Sequence, residues 1–288
     1  MSVRNNEERS GARKAAAPPP SQMTSPDVPT NTSDKLNFTT PTEFVDLPSI
    51  GKYYPDDHPL HNAESVEIRY MTAKDEDILT SKSFLKKGIA IDRFLQNIIV
   101  DPAVKVDQLL IGDKNALIVA ARITGYGSDY KTKVQCPACA TVQEYEFSLD
   151  SPEASPGGES MDATPTPQNT WLVDCPKSTA TVELRLLTGA DEKKLMAMQQ
   201  MKKRNKLPEA GATDQLRLII KSVNGSEEQK TINGFINSMP AIDSRYVRGV
   251  YDQIMPNVDL TQHFECSECS FDMKMEVPFT TDFFWPKR

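Results

Sequence analysis

The sequence predicts an α+β fold of two related lobes, each running strand, helices and β-hairpin. Three observations predict it: a strand–turn–helix pattern that occurs twice, a C-x2-C pair that occurs twice in the same order, and a proline-rich stretch between the copies. The first copy of the pattern is Val66–Glu76, VEIRYMTAKDE, and the second is Val182–Glu192, VELRLLTGADE. Each opens with alternating apolar and charged residues, the period of a half-buried strand. Each then sets a threonine, Thr72 or Thr188, three residues before an aspartate, Asp75 or Asp191. That is the spacing of a capping box at a helix N-terminus, where Asp75, Glu76, Asp191 and Glu192 also suit the helix dipole. The correspondence resumes further on. Asp113 precedes the helix-like run NALIVAARI, Asp243 precedes SRYVRGVYDQI, and Cys136 and Cys139 answer to Cys266 and Cys269. The first landmarks are 116 residues apart and the later ones 130, which places an insertion of about 14 residues in the second half, around 224–240. Duplication explains this order better than coincidence.

The elements follow along the chain. Residues 1–37 are rich in Pro, Ser, Thr, Asn and charge, with AAAPPP at Ala15–Pro20. They have too little apolar surface to offset chain entropy, and are expected to form a disordered arm. Residues 38–150 are the first lobe and 170–288 the second. Between them, 151–169 (SPEASPGGESMDATPTPQN) carries four prolines and Gly157-Gly158, with Glu153, Glu159 and Asp162 making it acidic. It reads as a linker.

Composition removes several classes of function. There are 33 Lys and Arg against 40 Asp and Glu, a net charge of −7. That argues against a nucleic-acid partner, which favours a basic excess. Mean hydropathy is −0.48, and no apolar run nears the roughly 18–20 residues of a membrane span. The first twenty residues contain no apolar core of a secretory signal, so a cytoplasmic, reducing origin is expected. The five cysteines then read as metal ligands or free thiols before disulfides.

Cys136-Pro-Ala-Cys139 and Cys266-Ser-Glu-Cys269 each place two thiols on one tight turn. Alternating residues flank both pairs: Tyr130, Thr132 and Val134 before the first, Phe271, Met273, Met275 and Val277 after the second. Each pair is therefore expected at the tip of a β-hairpin, the arrangement of a zinc ribbon. A redox C-x-x-C needs a following helix, and neither pair has one. One structural zinc per chain, held by two cysteines from each lobe, is the preferred reading; a separate metal on each knuckle with outside ligands is the alternative. His263 is near the second knuckle, but the first has no histidine close by. Cys175 is left over and reads as a small buried apolar residue.

Catalytic constellations are thin. His58 and His61 lie in the loop DDHPLH beside Asp56 and Asp57, a pattern that reads as a turn more readily than as a metal site. No phosphate-binding glycine loop, nucleophile elbow or H-E-x-x-H is present, and no small-molecule substrate is implied. The run Lys202–Lys206 closes a helix, where cations suit the dipole. At the C-terminus Phe279, Phe283, Phe284 and Trp285 crowd ten residues. Large aromatics seldom stay exposed, so Phe283, Phe284 and Trp285 either dock on a partner or fold back on their own chain.

The order LPSIGKYYP (Leu47–Pro55), MTAKDEDILTS (Met71–Ser81), ITGYGSDY (Ile123–Tyr130), the CPAC knuckle and DFFWP (Asp282–Pro286) resembles the baseplate-hub and hub-assembly proteins of T-even-like contractile-tailed bacteriophages. The resemblance covers about 44–288. It carries no catalytic residues. It implies a non-enzymatic structural or assembly role, partners among other tail and baseplate hub proteins, and a place in the virion tail baseplate or in the host cytoplasm during assembly. Zinc is no part of what it implies. The rival reading is a zinc-ribbon nucleic-acid-binding or transcription-associated factor.

Overall fold

The computed structural model describes residues 39–150, 152–208, 210–278 and 283–284; the expected arm, 1–37, lies outside them. The first half opens with a hairpin of β1 (Thr42–Asp46) and β2 (Ser65–Arg69), then runs through the helices α1 (Ala73–Thr80), α2 (Lys82–Lys87) and α3 (Ala90–Ile98). A short 3-10 turn leads into α4 (Ile111–Tyr126) and a second hairpin, β3 (Asp129–Gln135) with β4 (Val142–Ser148). After β5 (Glu153–Ser155) and β6 (Thr164–Pro165), the second half repeats much of this order. It has β7 (Thr170–Asp174), β8 (Thr181–Arg185), α5 (Gly189–Arg204), α6 (Gly211–Ile219), β9 (Ile220–Val223), α7 (Gln229–Ser238) and α8 (Ala241–Ile254). It ends in β10 (Asn257–Asp259) and the hairpin of β11 (Thr261–Glu265) and β12 (Asp272–Glu276). The result is a mixed α+β fold with small antiparallel sheets, the largest having the order β6-β7-β8-β9.

The repeated pattern builds repeated local structure. Capping boxes form at Thr72 and Thr188. The acid does more in each than its spacing announced. The Asp75 carboxylate is fully buried, accepts the Thr72 N–H at 2.8 Å, and is gripped from below by both guanidinium nitrogens of Arg69 at 2.7 and 2.9 Å. Asp191 accepts the Thr188 N–H and is held the same way by Arg185, at 2.8 and 3.0 Å. The last residue of each strand thus locks the helix that follows it. Asp113 and Asp243 match as well: both are fully buried in the first turn of a helix. Asp113 accepts the Ser49 N–H (2.9 Å), the Ser49 hydroxyl (2.6 Å) and the Tyr54 hydroxyl (2.7 Å). The LPSIGKYYP motif is therefore a loop wrapped on a buried carboxylate. Its Gly51 sits at φ +70, and a Cβ there would lie 2.3 Å from the Ala63 nitrogen, so no other residue fits.

The stretch expected as a linker makes two short backbone pairings along its course. β5 pairs with β10 and β6 with β7, while Gly157 and Gly158 turn the chain between them. The Tyr53 hydroxyl donates to the Gly157 carbonyl and the Trp171 indole N–H to that of Gly158. Proline and glycine here shape a bound strap, because their neighbours offer backbone partners and the Trp171 indole N–H, which composition does not reveal. Thr40–Arg288 forms one compact unit, and its buried apolar residues make a single core drawn from both halves.

The halves also meet through charge. Lys114 is nearly buried, with its ammonium 2.6 Å from Asp92 and 2.6 Å from Glu192 of the second half. Lys193 adds a bond to Asp92 at 3.2 Å and one to Asp107. Burial alone would lower the Lys114 ammonium; the Glu192 and Asp92 carboxylates outweigh it and raise it. Lys114→Met should cost about 3–5 kcal/mol, since it leaves two close carboxylates without their shared cation. Urea midpoints measure it; a loss below about 1 kcal/mol would place Lys114 among ordinary surface ion pairs.

Candidate metal centre

Each cysteine pair sits at the tip of a hairpin, as the alternation around it predicts. In the first knuckle the Cys136 N–H donates to the Thr141 carbonyl at 2.9 Å and the Ala140 N–H to the Cys136 carbonyl at 2.9 Å. In the second, the Cys266 N–H donates to the Phe271 carbonyl at 2.9 Å and the Ser270 N–H to the Cys266 carbonyl at 3.0 Å. The residue after the second cysteine takes a positive φ in both, Ala140 at 59° and Ser270 at 53°. A left-handed conformation without glycine costs about 1 kcal/mol at each site.

Side chains of β4 lay one hairpin against the other. The Gln143 amide donates to the Glu265 carbonyl and its oxygen accepts the Ser267 N–H at 3.0 Å. The Tyr145 hydroxyl donates to the His263 carbonyl, and its ring packs 5.1 Å from that of buried Phe264. Gln262 bonds both ways with the backbone of Ser148. Gln143 and Gln262 escaped the sequence reading. The one signal for Gln143 is its place on the same strand face as Tyr145 and Phe147, at period two.

This docking brings the four sulfurs together. Cys136 Sγ lies 3.7 Å from Cys269 Sγ and Cys139 Sγ 3.7 Å from Cys266 Sγ, and all four lie within 4.8 Å of one another. A disulfide requires about 2.05 Å. A tetrahedron of thiolates around zinc, with bonds of about 2.3 Å, has edges of about 3.8 Å. The close pairs each join one cysteine of either knuckle, so an ion here would be gripped by both halves at once. Cys136 and Cys266 are buried while Cys139 and Cys269 face outward. Hydrogen bonds from the Thr141 side chain and backbone hold the Cys139 thiol down at about 6. Cys269 is pushed up to about 12: a backbone bond at Phe271 favours its thiolate, but burial and the neighbouring sulfurs outweigh it. Four sulfurs this close resist losing all their protons without a cation between them. The donor set and its spacing fit a soft or borderline divalent metal such as zinc.

The other sequence candidates fall elsewhere. Among the described residues the cysteine quartet is the one cluster of three or more metal-ligating side chains. His58 accepts the Leu60 N–H and stacks on Tyr54, and His61 bonds the Tyr54 carbonyl oxygen, so both serve the loop. Cys175 sits in a turn of the same build as the knuckles: its N–H donates to the Ala180 carbonyl, and Thr179 has φ 55°. Ser178 stands where the second cysteine would be, and the Lys177 and Ser178 N–H groups bind Asp243 at 2.8 and 2.9 Å. There a buried carboxylate organises the turn. Burial pushes the Cys175 thiol up to about 11, which leaves it inert.

Two of the three aromatic tail residues fold back on their own chain. Phe283 and Phe284 are buried. Phe283 packs edge-on to Tyr130 at 5.1 Å and Phe284 edge-on to Phe94 at 5.4 Å. Arg122, fully buried, donates from Nε to the Phe283 carbonyl at 2.6 Å and from its other nitrogens to the Gly127 and Asp129 carbonyls. The end of the second half thus plugs the first. Trp285 lies outside the described residues.

With this geometry in view, the comparison with known families is specific. The family model described as T4 bacteriophage base plate protein matches 40–165. Residues 40–165 are thus similar to the T4 bacteriophage base plate protein family. No curated protein and no solved structure gives a significant match. The matched region contains the Asp113 loop, the Asp75 clamp and the first knuckle, while the second knuckle lies beyond it. Among the described residues no helix is long and apolar enough to cross a membrane.

The two clamps predict an acid-labile fold. Burial would raise the Asp75 carboxyl, but Arg69, Thr72 and Asn97 outweigh it and hold it at about 2. Asp191 is likewise held well below the carboxylate range: burial would raise it, and Arg185 and Lys194 outweigh that effect. An unfolded aspartate ionises near 3.9, so this contribution is complete above about pH 4 and is lost as pH falls through about 2. Urea midpoints between pH 7 and pH 2 should show it. The Asp75→Asn, Asp191→Asn double variant should be less stable at neutral pH and lose less of its stability through that window. A wild-type profile flat from pH 5 to pH 2 would overturn the assignment.

Proposed function

We propose that the chain is a non-enzymatic structural component or assembly factor of a bacteriophage tail baseplate hub, with one zinc on Cys136, Cys139, Cys266 and Cys269 fastening its two hairpins. The observation that carries the reading is the match of 40–165 to the base plate family. The motifs behind the wider resemblance support it, because the ones that can be traced have architectural work. Ser49 and Tyr54 hold a buried carboxylate, and Asp75 locks a strand to a helix. A zinc ion with four protein thiolates has no open position for a substrate, so its role is structural. The paired clamps, paired buried aspartates and paired knuckles support an origin of the two halves by duplication. Partners are then other tail and baseplate hub proteins, met in the host cytoplasm during assembly or in the finished tail.

Mass spectrometry of purified mature particles against infected-cell lysate tests this. Recovery in particles makes the chain a component. Recovery in lysate alone, bound to tail proteins, makes it an assembly factor. Failure to associate with any tail protein in either sample refutes the proposal.

A further inference from the structure

A second surface, away from the cysteines, has the makings of a binding site. α5 is sixteen residues long, yet only Gly189 and Asp191 at its first turn are buried. Two of its methionines go largely uncovered: Met196 is 40% exposed and Met201 63%. Beside it lies the C-terminus of α2, where Met196 Sδ comes within 3.5 Å of the position a Cβ on Gly88 would take. Between the two helices and the start of α6 is a cleft of about 400 Å³, lined by Leu85, Met196, Gln199, Lys203 and Gly211 among others. Leu85 is 44% exposed, and Leu207 just past α5 is 54%. Methionine adapts its shape to varied apolar partners, which suits a binding surface better than a solvent face.

The charge around the cleft is opposite to that of the molecule. The chain is acidic at −7, yet α2 ends in Lys86-Lys87 and α5 in Lys202-Lys203-Arg204, with Lys206 following. Lys202 is spent on Asp214, at 2.5 Å. Among the described residues, Lys86, Lys87, Lys203, Arg204 and Lys206 have no ion pair. Helix C-termini tolerate such cations, but that does not account for the bared Leu and Met residues between them.

We infer that the α2–α5 cleft docks an acidic, amphipathic segment of another protein, its apolar side chains entering between Leu85 and Met196 and its carboxylates meeting Lys203, Arg204 and Lys86. The segment is a peptide rather than a nucleic acid because the cleft sets Leu85 and Met196 among its polar lining, has no aromatic ring on which a base could stack, and has the Asp214 carboxylate in its wall. This inference does not depend on the zinc or on the base plate reading.

The test uses the full chain and three labelled probes: a helical peptide of about 18 residues with leucines along one face and glutamates elsewhere, a scrambled peptide of the same composition, and a mixed-sequence single-stranded DNA. Fluorescence anisotropy at low salt should find the amphipathic peptide bound at least about tenfold more tightly than either control. Lys203→Glu with Arg204→Glu should weaken it by about tenfold or more, as should Met196→Asp alone, and raised salt should weaken it as well. These side chains are exposed, so the variants should keep the wild-type melting curve. Absence of binding by the amphipathic peptide, equal binding of the scrambled one, or unchanged affinity in both variants would overturn the inference. Tighter binding of the DNA would overturn it too, by making the surface a phosphate-binding one.

Discussion

Elemental analysis should find about one zinc per chain, and Cys136→Ser and Cys266→Ser should each abolish it, although these residues belong to different halves. The expectation follows from the geometry. Each 3.7 Å sulfur pair joins one knuckle to the other, so neither hairpin alone offers more than two ligands. The effect on stability should be large. Structural zinc sites contribute on the order of 10 kcal/mol at neutral pH in small domains. Here a core of both halves supports the rest of the fold, so loss of the metal should loosen the hairpin pair first. Near-neutral chelation should therefore lower the melting midpoint and free the outward-facing Cys139 and Cys269 sulfurs to react with a thiol reagent. Retention of stoichiometric zinc by Cys266→Ser would sink the shared site and leave a metal on the first knuckle with other ligands.

Deleting residues 280–288 should destabilise the protein nearly as much. The deletion removes two buried phenylalanines, and each such loss costs about 3–5 kcal/mol where the cavity cannot collapse. It also leaves the buried Arg122 guanidinium without the Phe283 carbonyl that its Nε donates to, and an unmet bond from a buried charged donor adds further cost. Against a total stability of roughly 5–15 kcal/mol, the truncated chain should melt at least about 10 °C lower or fail to fold. Phe284→Leu separates the two outcomes. It keeps most of the apolar volume and should melt only a few degrees below wild type. An unchanged midpoint in the truncated chain, with zinc retained, would show that the tail contributes little to the fold.

Much of this architecture is legible one segment at a time. The alternation in VEIRYM and VELRLL, the Thr-x-x-Asp spacing and the C-x2-C pairs each depend on residues within about four positions of one another. Backbone periodicity and capping act over that range, which is why strands β2 and β8, helices α1 and α5 and both knuckles stand where the pattern puts them. The sequence by itself determined the local elements, the pairing of landmarks between the halves and the four cysteines as the chemistry-bearing set. It left open whether those cysteines share one site, because spacing along a chain carries no information about the distance between two hairpins.

That distance was decided by tertiary contacts such as Gln143 with Ser267 and Tyr145 with Phe264, 119 or more positions apart in the chain. The same holds for Lys114, whose partner Glu192 is 78 positions away, and for Arg122, whose partner Phe283 is 161 away. The segment 152–169 shows the same limit. Its composition describes what the segment does alone in water, where proline and glycine favour an open chain. In the folded protein its backbone hydrogen-bonds to β7, β10 and Tyr53, partners that lie far off in the chain or outside the segment and that its composition does not show.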